Sequence, residues 1–178
     1  MRLVNLQIAK SKIIDVLDYP KSGITFKDIT PLLADSEAFS FVISKIIEEL
    51  ETIEVDYVAG VEARGFIIAA AIAIKMQKGF IPIRKPGKLP RKVVRREYQL
   101  EYGVDALEIH SDLIPANSKV LIVDDVLATG GTAIAAGELI RELGAIVAGF
   151  AFLFAIDGLA GETRISNSNL KVPIKILF

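Results

Sequence analysis

VLIVDDVLATGGTAIAAGELI, residues 120–140, decides the fold. It opens with KVLIVDD (119–125), an unbroken β-type run, passes through a glycine-containing loop, and continues into AIAAGELIRELG (133–144), which has helical character. AIVAGFAFLFAI (145–156) is a second continuous apolar strand. Strands without polar alternation are buried on both faces, which is the mark of a parallel sheet covered by helices. Upstream the same order recurs: VDYVAG (55–60) as a strand, VEARG (61–65) as a loop, FIIAAAIAIKMQ (66–77) as an Ala-rich helix and FIPIRK (80–85) as the next strand. The alternation predicts an α/β domain with a doubly wound, mainly parallel sheet flanked by helices. Ligands in such folds sit beyond the carboxyl ends of the strands.

Further out the pattern loosens. Leu3, Leu6, Ile13, Ile14 and Leu17 fall at roughly helical spacing and predict a helix over the first 17 residues, broken by PKSG (20–23). Apolar residues at 39, 42, 43, 46, 47 and 50 predict another helix. Residues 86–115 depart from the α/β alternation: the segment is polar, carries basic pairs, and divides into VVRREYQLEYG and DALEIHSDL, two runs that fit a hairpin outside the main sheet. Polar material of this length inside a compact domain is usually functional, often a lid.

The chain of 178 residues suits one domain, 1–178, and folding should bury roughly 70% of the extended chain's surface. Lys and Arg total 21 against 22 acidic residues, a net charge of −1, which gives no electrostatic case for a nucleic-acid partner. Cysteine is absent and His110 is the single histidine, so disulfides, thiolate metal sites and multi-histidine zinc sites are excluded. The longest apolar stretch, 145–156, falls short of the about 20 residues a membrane span needs. MRLVNLQIAKSKIID has no signal-peptide core, and the expectation is a soluble, cytoplasmic protein. The hydrophobic fraction of 52% has two readings, a well-filled core or an extra face buried by self-association.

Chemistry concentrates where strands end. Gly130 and Gly131 let the backbone approach a ligand, Thr129 and Thr132 add hydroxyls, and the helix that follows presents free N–H groups and the positive end of its dipole. That combination suits a phosphate monoester. Asp124 and Asp125 close the preceding strand, and buried carboxylates need partners: a base, backbone N–H groups, a metal or a diol. A ribose supplies cis hydroxyls one sugar away from a 5′-phosphate, which explains acids beside a phosphate loop. Arg64, in the loop VEARG, suits a diphosphate, as do Arg84, Lys85 and Lys88 after the FIPI strand. Taken one at a time these residues also allow a ligand-free connection, a salt-bridged acid pair and a solvated basic surface.

The combination DDVLATGGT (124–132) resembles the phosphoribosyl-diphosphate motif of the type I phosphoribosyltransferases. GITFKDITPLL (23–33), GVEARGF (60–66), IRKPGKLPRK (83–92) and EYQLEYG (97–103) each resemble the matching segment of the adenine phosphoribosyltransferases, in that family's order and over most of the chain. The resemblance implies transfer of the phosphoribosyl group of phosphoribosyl diphosphate to adenine, giving AMP and diphosphate in purine salvage. It implies Mg²⁺ carried by the diphosphate with no direct protein ligand, a homodimer, and no nucleic-acid or membrane partner. It assigns Arg64, Lys85, Lys88, Asp124, Asp125, Ala128, Thr129, Gly130, Gly131 and Thr132 to phosphoribosyl diphosphate and AMP. Thr25, Phe26 and Lys27, within a base-recognition segment 1–35, are assigned to adenine, and Leu159 to covering the base. Glu101 is assigned to proton handling on the purine, and 86–115 to a flexible hairpin lid. The family usually has Arg where this chain has Lys27, a harmless change if the base is read through the backbone. A hypoxanthine or guanine transferase and a regulator that senses phosphoribosyl diphosphate are the other readings the motif admits.

Overall fold

The computed structural model describes residues 4–99 and 103–178. They fall into two compact units, divided between Glu48 and Glu49. The first unit holds α1 (Leu6–Lys10), β1 (Ile14–Val16), β2 (Phe26–Asp28), α2 (Thr30–Ala34) and most of α3 (Ser36–Glu49). The helix expected over the first 17 residues is only five residues long. Asn5 caps it by accepting a hydrogen bond from the Ile8 N–H at 2.9 Å, and Ser11 ends it. The β-branched Ile14 and Val16 then pair antiparallel with Asp28 and Phe26, because such side chains lose less freedom in a strand than in a helix. In α3 the buried residues Ala38, Val42, Ile43 and Ile46 recur at three- and four-residue spacing, as the periodicity predicted.

The second unit is built on five parallel strands in the order β4-β3-β7-β8-β9. These are β3 (Tyr57–Val61), β4 (Gly79–Ile83), β7 (Lys119–Leu127), β8 (Ile146–Ala155) and β9 (Ile174–Ile176). Helix α4 (Arg64–Met76) links β3 to β4, α5 (Gly131–Glu142) links β7 to β8, and α6 (Gly161–Ser166) lies between β8 and β9. Val120, Leu121, Ile122 and Val123 are all buried, so β7 is covered on both faces. From β3 the chain steps outward to β4. It then returns to place β7 on the other side of β3 and moves on through β8 to β9. The order therefore reverses between β3 and β7, and the carboxyl ends of those two strands bound the switch-point crevice.

The segment expected to form a hairpin does so: β5 (Val93–Gln99) pairs antiparallel with β6 (Val104–His110) in a separate two-stranded sheet. Its second strand is not a loose flap. Leu107 and Ile109 are fully buried in one cluster with Ile122, Leu139 and Phe150. The Arg84 and Glu108 backbones exchange hydrogen bonds of 2.8 and 2.7 Å, which ties β6 to the chain leaving β4. Freeing β6 would expose that core.

Candidate active site

At the switch point, β7 delivers Asp124 and Asp125 beside the start of α4. Asp125 is 3% exposed, and its Oδ2 lies 2.8 Å from Arg64 Nη2. This is an ion pair without hydrogen-bond alignment, since Oδ2 accepts no hydrogen bond. The Asp125 N–H donates to Asp124 Oδ1 at 2.9 Å. Gly65 makes room for that carboxylate, because a Cβ there would stand 2.7 Å from Asp124 Oδ1. Burial pushes the Asp124 carboxyl well up, and the neighbouring Asp125 charge adds to it. Burial also raises Asp125, with Arg64 pulling against it. The protein alone thus disfavours the charged form of both carboxyls, and the site favours a ligand that brings hydroxyl donors or a cation.

The loop after β7 runs through Ala128 and Thr129 to Gly130, which sits in the left-handed region at φ 81°. The first turn of α5 has no side-chain cap, an arrangement whose N–H groups can receive an anion. Gly130 could not carry a side chain, since the Gly161 carbonyl oxygen would be 2.9 Å from its Cβ. On the outer side of the loop, Arg164 donates to the Thr129 carbonyl at 3.4 Å.

The basic cluster after β4 divides by function. Arg84 grips Glu62 with two hydrogen bonds, Nε at 3.2 Å and Nη2 at 3.0 Å, and donates a third to the Lys88 carbonyl at 3.0 Å. The Glu62 carboxylate also accepts the Lys85 N–H at 3.0 Å. The hydrogen bonds from Arg84 lead in holding the Glu62 pKa below its ordinary value, against burial. Arg84 is therefore a pin that shapes the turn. Gly87 N–H donates to the buried Glu108 Oε2 at 2.9 Å and fastens the same turn to β6. Lys88 is exposed, and Lys85 is drawn to Asp105 and Tyr98 of the hairpin.

Arg64, Lys85, Asp124, Asp125 and the 128–132 loop thus come together at one end of the sheet. Thr25, Phe26 and Lys27 lie in the first unit: Thr25 is exposed, and Phe26 and Lys27 belong to β2. The Phe26 ring meets Tyr19 edge-on at 5.3 Å, and Lys27 Nζ pairs with Asp15 at 2.7 Å. That side chain is engaged, which fits a base read by backbone groups. Glu101 lies outside the described residues. Leu159 is exposed in the loop before α6. Glu62, Gly65, Tyr98, Asp105 and Gly161 are participants that sequence reasoning missed, because each is defined by a partner distant in sequence. Among the described residues no three acidic or histidine side chains gather into a metal cage.

Residues 22–176 match the phosphoribosyl transferase domain family. The chain is 50% identical over 160 residues to an adenine phosphoribosyltransferase of Streptococcus uberis, covering 90% of this chain and 93% of that protein. The crystal structure of an adenine phosphoribosyltransferase from Thermoanaerobacter pseudethanolicus superposes with a TM-score of 0.93 at 43% identity, over 97% of this chain and 98% of that one. The Saccharomyces cerevisiae enzyme, solved with an imino-altritol bisphosphate and adenine, gives 0.90 at 36% identity, over 97% and 98% of the two chains.

Proposed function

The chain belongs to the adenine phosphoribosyltransferases of the phosphoribosyl transferase family, and from that premise we infer that it transfers the phosphoribosyl group of phosphoribosyl diphosphate to adenine, giving AMP and diphosphate. The observation that carries the reading is the adjacency, at the switch point, of an acid pair and an uncapped, glycine-opened helix start. One holds ribose hydroxyls and the other a 5′-phosphate.

In the reaction, adenine N9 forms a bond to the anomeric carbon as the bond from that carbon to the diphosphate oxygen breaks. The proton on N9 is lost, and diphosphate leaves with the bonding pair. Positive charge grows on the ribose and negative charge on the departing oxygens. Asp124 and Asp125 orient the ribose and favour its charge, while Arg64, Lys85 and Lys88 favour that of the diphosphate. Ala128, Thr129, Gly130, Gly131 and Thr132 anchor the 5′-phosphate so that the anomeric carbon is held in line. Thr25, Phe26 and Lys27 read adenine, and Glu101 takes the proton. Buried carboxyls at Asp124 and Asp125 whose charged forms the protein alone disfavours fit a site that would receive Mg²⁺ together with the diphosphate that carries it. When bound, the ion neutralises phosphate charge.

No helix among the described residues is long and apolar enough to cross a membrane, and we assign the enzyme to the cytoplasm. A homodimer has a ready surface on α4, where Ala63, Ile67 and Ile74 form an exposed apolar stripe flanked by the half-buried Ala70 and Ala71. The functional test is incubation with phosphoribosyl diphosphate, Mg²⁺ and an equimolar mixture of adenine, hypoxanthine and guanine, with the nucleotides separated and identified. AMP is expected as the main product. Absence of any nucleotide would reject the reaction, and IMP or GMP in excess would reject the base.

A further inference from the structure

Lys85 Nζ is not free in this structure. It forms an ion pair with Asp105 Oδ2, donates a hydrogen bond to the Tyr98 hydroxyl oxygen at 3.1 Å, and lies 5.6 Å from the centre of the Tyr98 ring. The Tyr98 hydroxyl in turn donates to Asp105 Oδ2 at 3.2 Å. Tyr98 and Asp105 are direct partners across the β5–β6 hairpin, so the ladder sets their side chains on one face. Asp105 is further fixed by the Ala106 N–H, which donates to its Oδ1 at 2.8 Å. The same Tyr98 hydroxyl stands 3.3 Å from Thr132 Oγ1 in the phosphate loop. A single phenol thus touches the ammonium assigned to the diphosphate and the hydroxyl assigned to the 5′-phosphate.

We propose that Tyr98 and Asp105 form a clasp that holds the Lys85 ammonium in the substrate-free enzyme, and that a diphosphate group must displace Asp105 to engage that ammonium. The inference rests on the reading of Lys85 as a diphosphate ligand. Burial disfavours the charged Lys85, but its bonds to Asp105 and Tyr98 outweigh this and its pKa is raised. Burial likewise opposes ionised Asp105, whose bonds to Lys85 and Ala106 lower its pKa overall. Both partners are therefore charged at neutral pH. The side chains are 37% and 28% exposed, and ion pairs this open to water are weak. A diphosphate, with several negative charges, outcompetes one carboxylate. Tyr98 and Asp105 are accordingly positioning residues: they keep the ammonium pre-aimed, and affinity for the anion is reduced by what the clasp holds back.

The test is calorimetric titration with diphosphate in the presence of Mg²⁺. Asp105→Asn is expected to tighten the diphosphate Kd by about 2- to 5-fold, the range a half-exposed ion pair represents, and to lower KM for phosphoribosyl diphosphate without raising kcat. Asp105→Glu, which keeps the charge, is expected to stay near the unaltered value. In a Lys85→Met background Asp105→Asn should have no effect. Tyr98→Phe, which keeps the ring and removes the hydroxyl, supplies an independent variant and should also tighten binding. Simple structural damage weakens ligand binding, so tighter binding separates the two explanations. Unchanged or weaker binding in folded Asp105→Asn or Tyr98→Phe overturns the clasp, as does equal tightening when Lys85 is Met. If the unaltered chain binds no diphosphate and makes no AMP, the functional reading itself fails. If it does both and Lys85→Met binds diphosphate normally, only the clasp fails.

Discussion

Asp124 and Asp125 hold a conformation that costs the free protein stability and that, in the function proposed above, serves the ligand. Both carboxyls have raised pKa values, chiefly through burial, with mutual repulsion adding to the shift of Asp124. For a carboxyl whose folded pKa lies above its unfolded value, the associated stability is fully present below the unfolded pKa and is lost as pH rises through the folded one. The charged forms of the pair therefore work against folding. Asp124→Asn keeps the shape beside Gly65 and the oxygen that accepts the Asp125 N–H. It should raise the melting temperature at pH 7.5 by about 2–4 °C, a relief on the order of 1 kcal/mol in a chain of this size. The gain should shrink as pH falls towards the ordinary aspartate range, while AMP formation drops at every pH. Scanning calorimetry across that range checks it, and a lowered melting temperature at pH 7.5 would contradict the argument. Glu62 shows the opposite case. Arg84 holds its pKa down, so its contribution is present above the ordinary glutamate value and fades in acid.

The strand–loop–helix unit β7–α5 does not stand alone, because α6 packs directly behind its loop. Gly130 and Gly161 approach so closely that neither can carry a Cβ: one on Gly130 would meet the Gly161 carbonyl, and one on Gly161 would run into the Ala128 carbonyl and the Leu127 side chain. Backbone atoms cannot swing aside as a flexible side chain does. Gly161→Ala should therefore push the 128–132 loop outward, at an overpacking cost of about 1–3 kcal/mol. It should also weaken AMP binding by roughly tenfold or more, as expected when an anchoring site is misplaced by a fraction of an ångström. Titration calorimetry with AMP measures it, and normal AMP affinity in a folded Gly161→Ala chain would show that α6 does not shape the loop. The hairpin is likewise held at the level of elements, β6 by the core beneath it and β5 by α5, where Arg96 pairs with Glu138 at 2.9 Å.

Across the whole molecule, the high apolar content goes partly into a large core and partly into exposed positions. Ile74 is 80% exposed and Ile67 44%, one helical face of α4 that the sheet does not cover. Ile74→Glu should convert the homodimer proposed above to monomer without unfolding it, giving half the mass in sedimentation equilibrium; an unchanged mass would count against a contact through this face. How much of this was legible in the sequence depended on how local each feature is. The strands of the parallel sheet, their helices, and the TGGT loop were readable because each rests on consecutive residues: unbroken apolar runs, helical periodicity, and glycines at a strand-to-helix turn. The short N-terminal helix was misread because apolar spacing alone does not say whether Ile14 and Val16 will find a strand partner. By itself the sequence determined that a parallel sheet would carry an acid pair and a glycine-opened loop at one strand's end. Only the tertiary structure decided what those groups touch: Arg64 on Asp125, Glu62 on Arg84, Tyr98 between Lys85 and Thr132, and Gly161 behind Gly130. The physical reason is that hydrogen bonds and ion pairs require contact within a few ångströms, and crossovers and the folded hairpin bring together residues the chain keeps far apart.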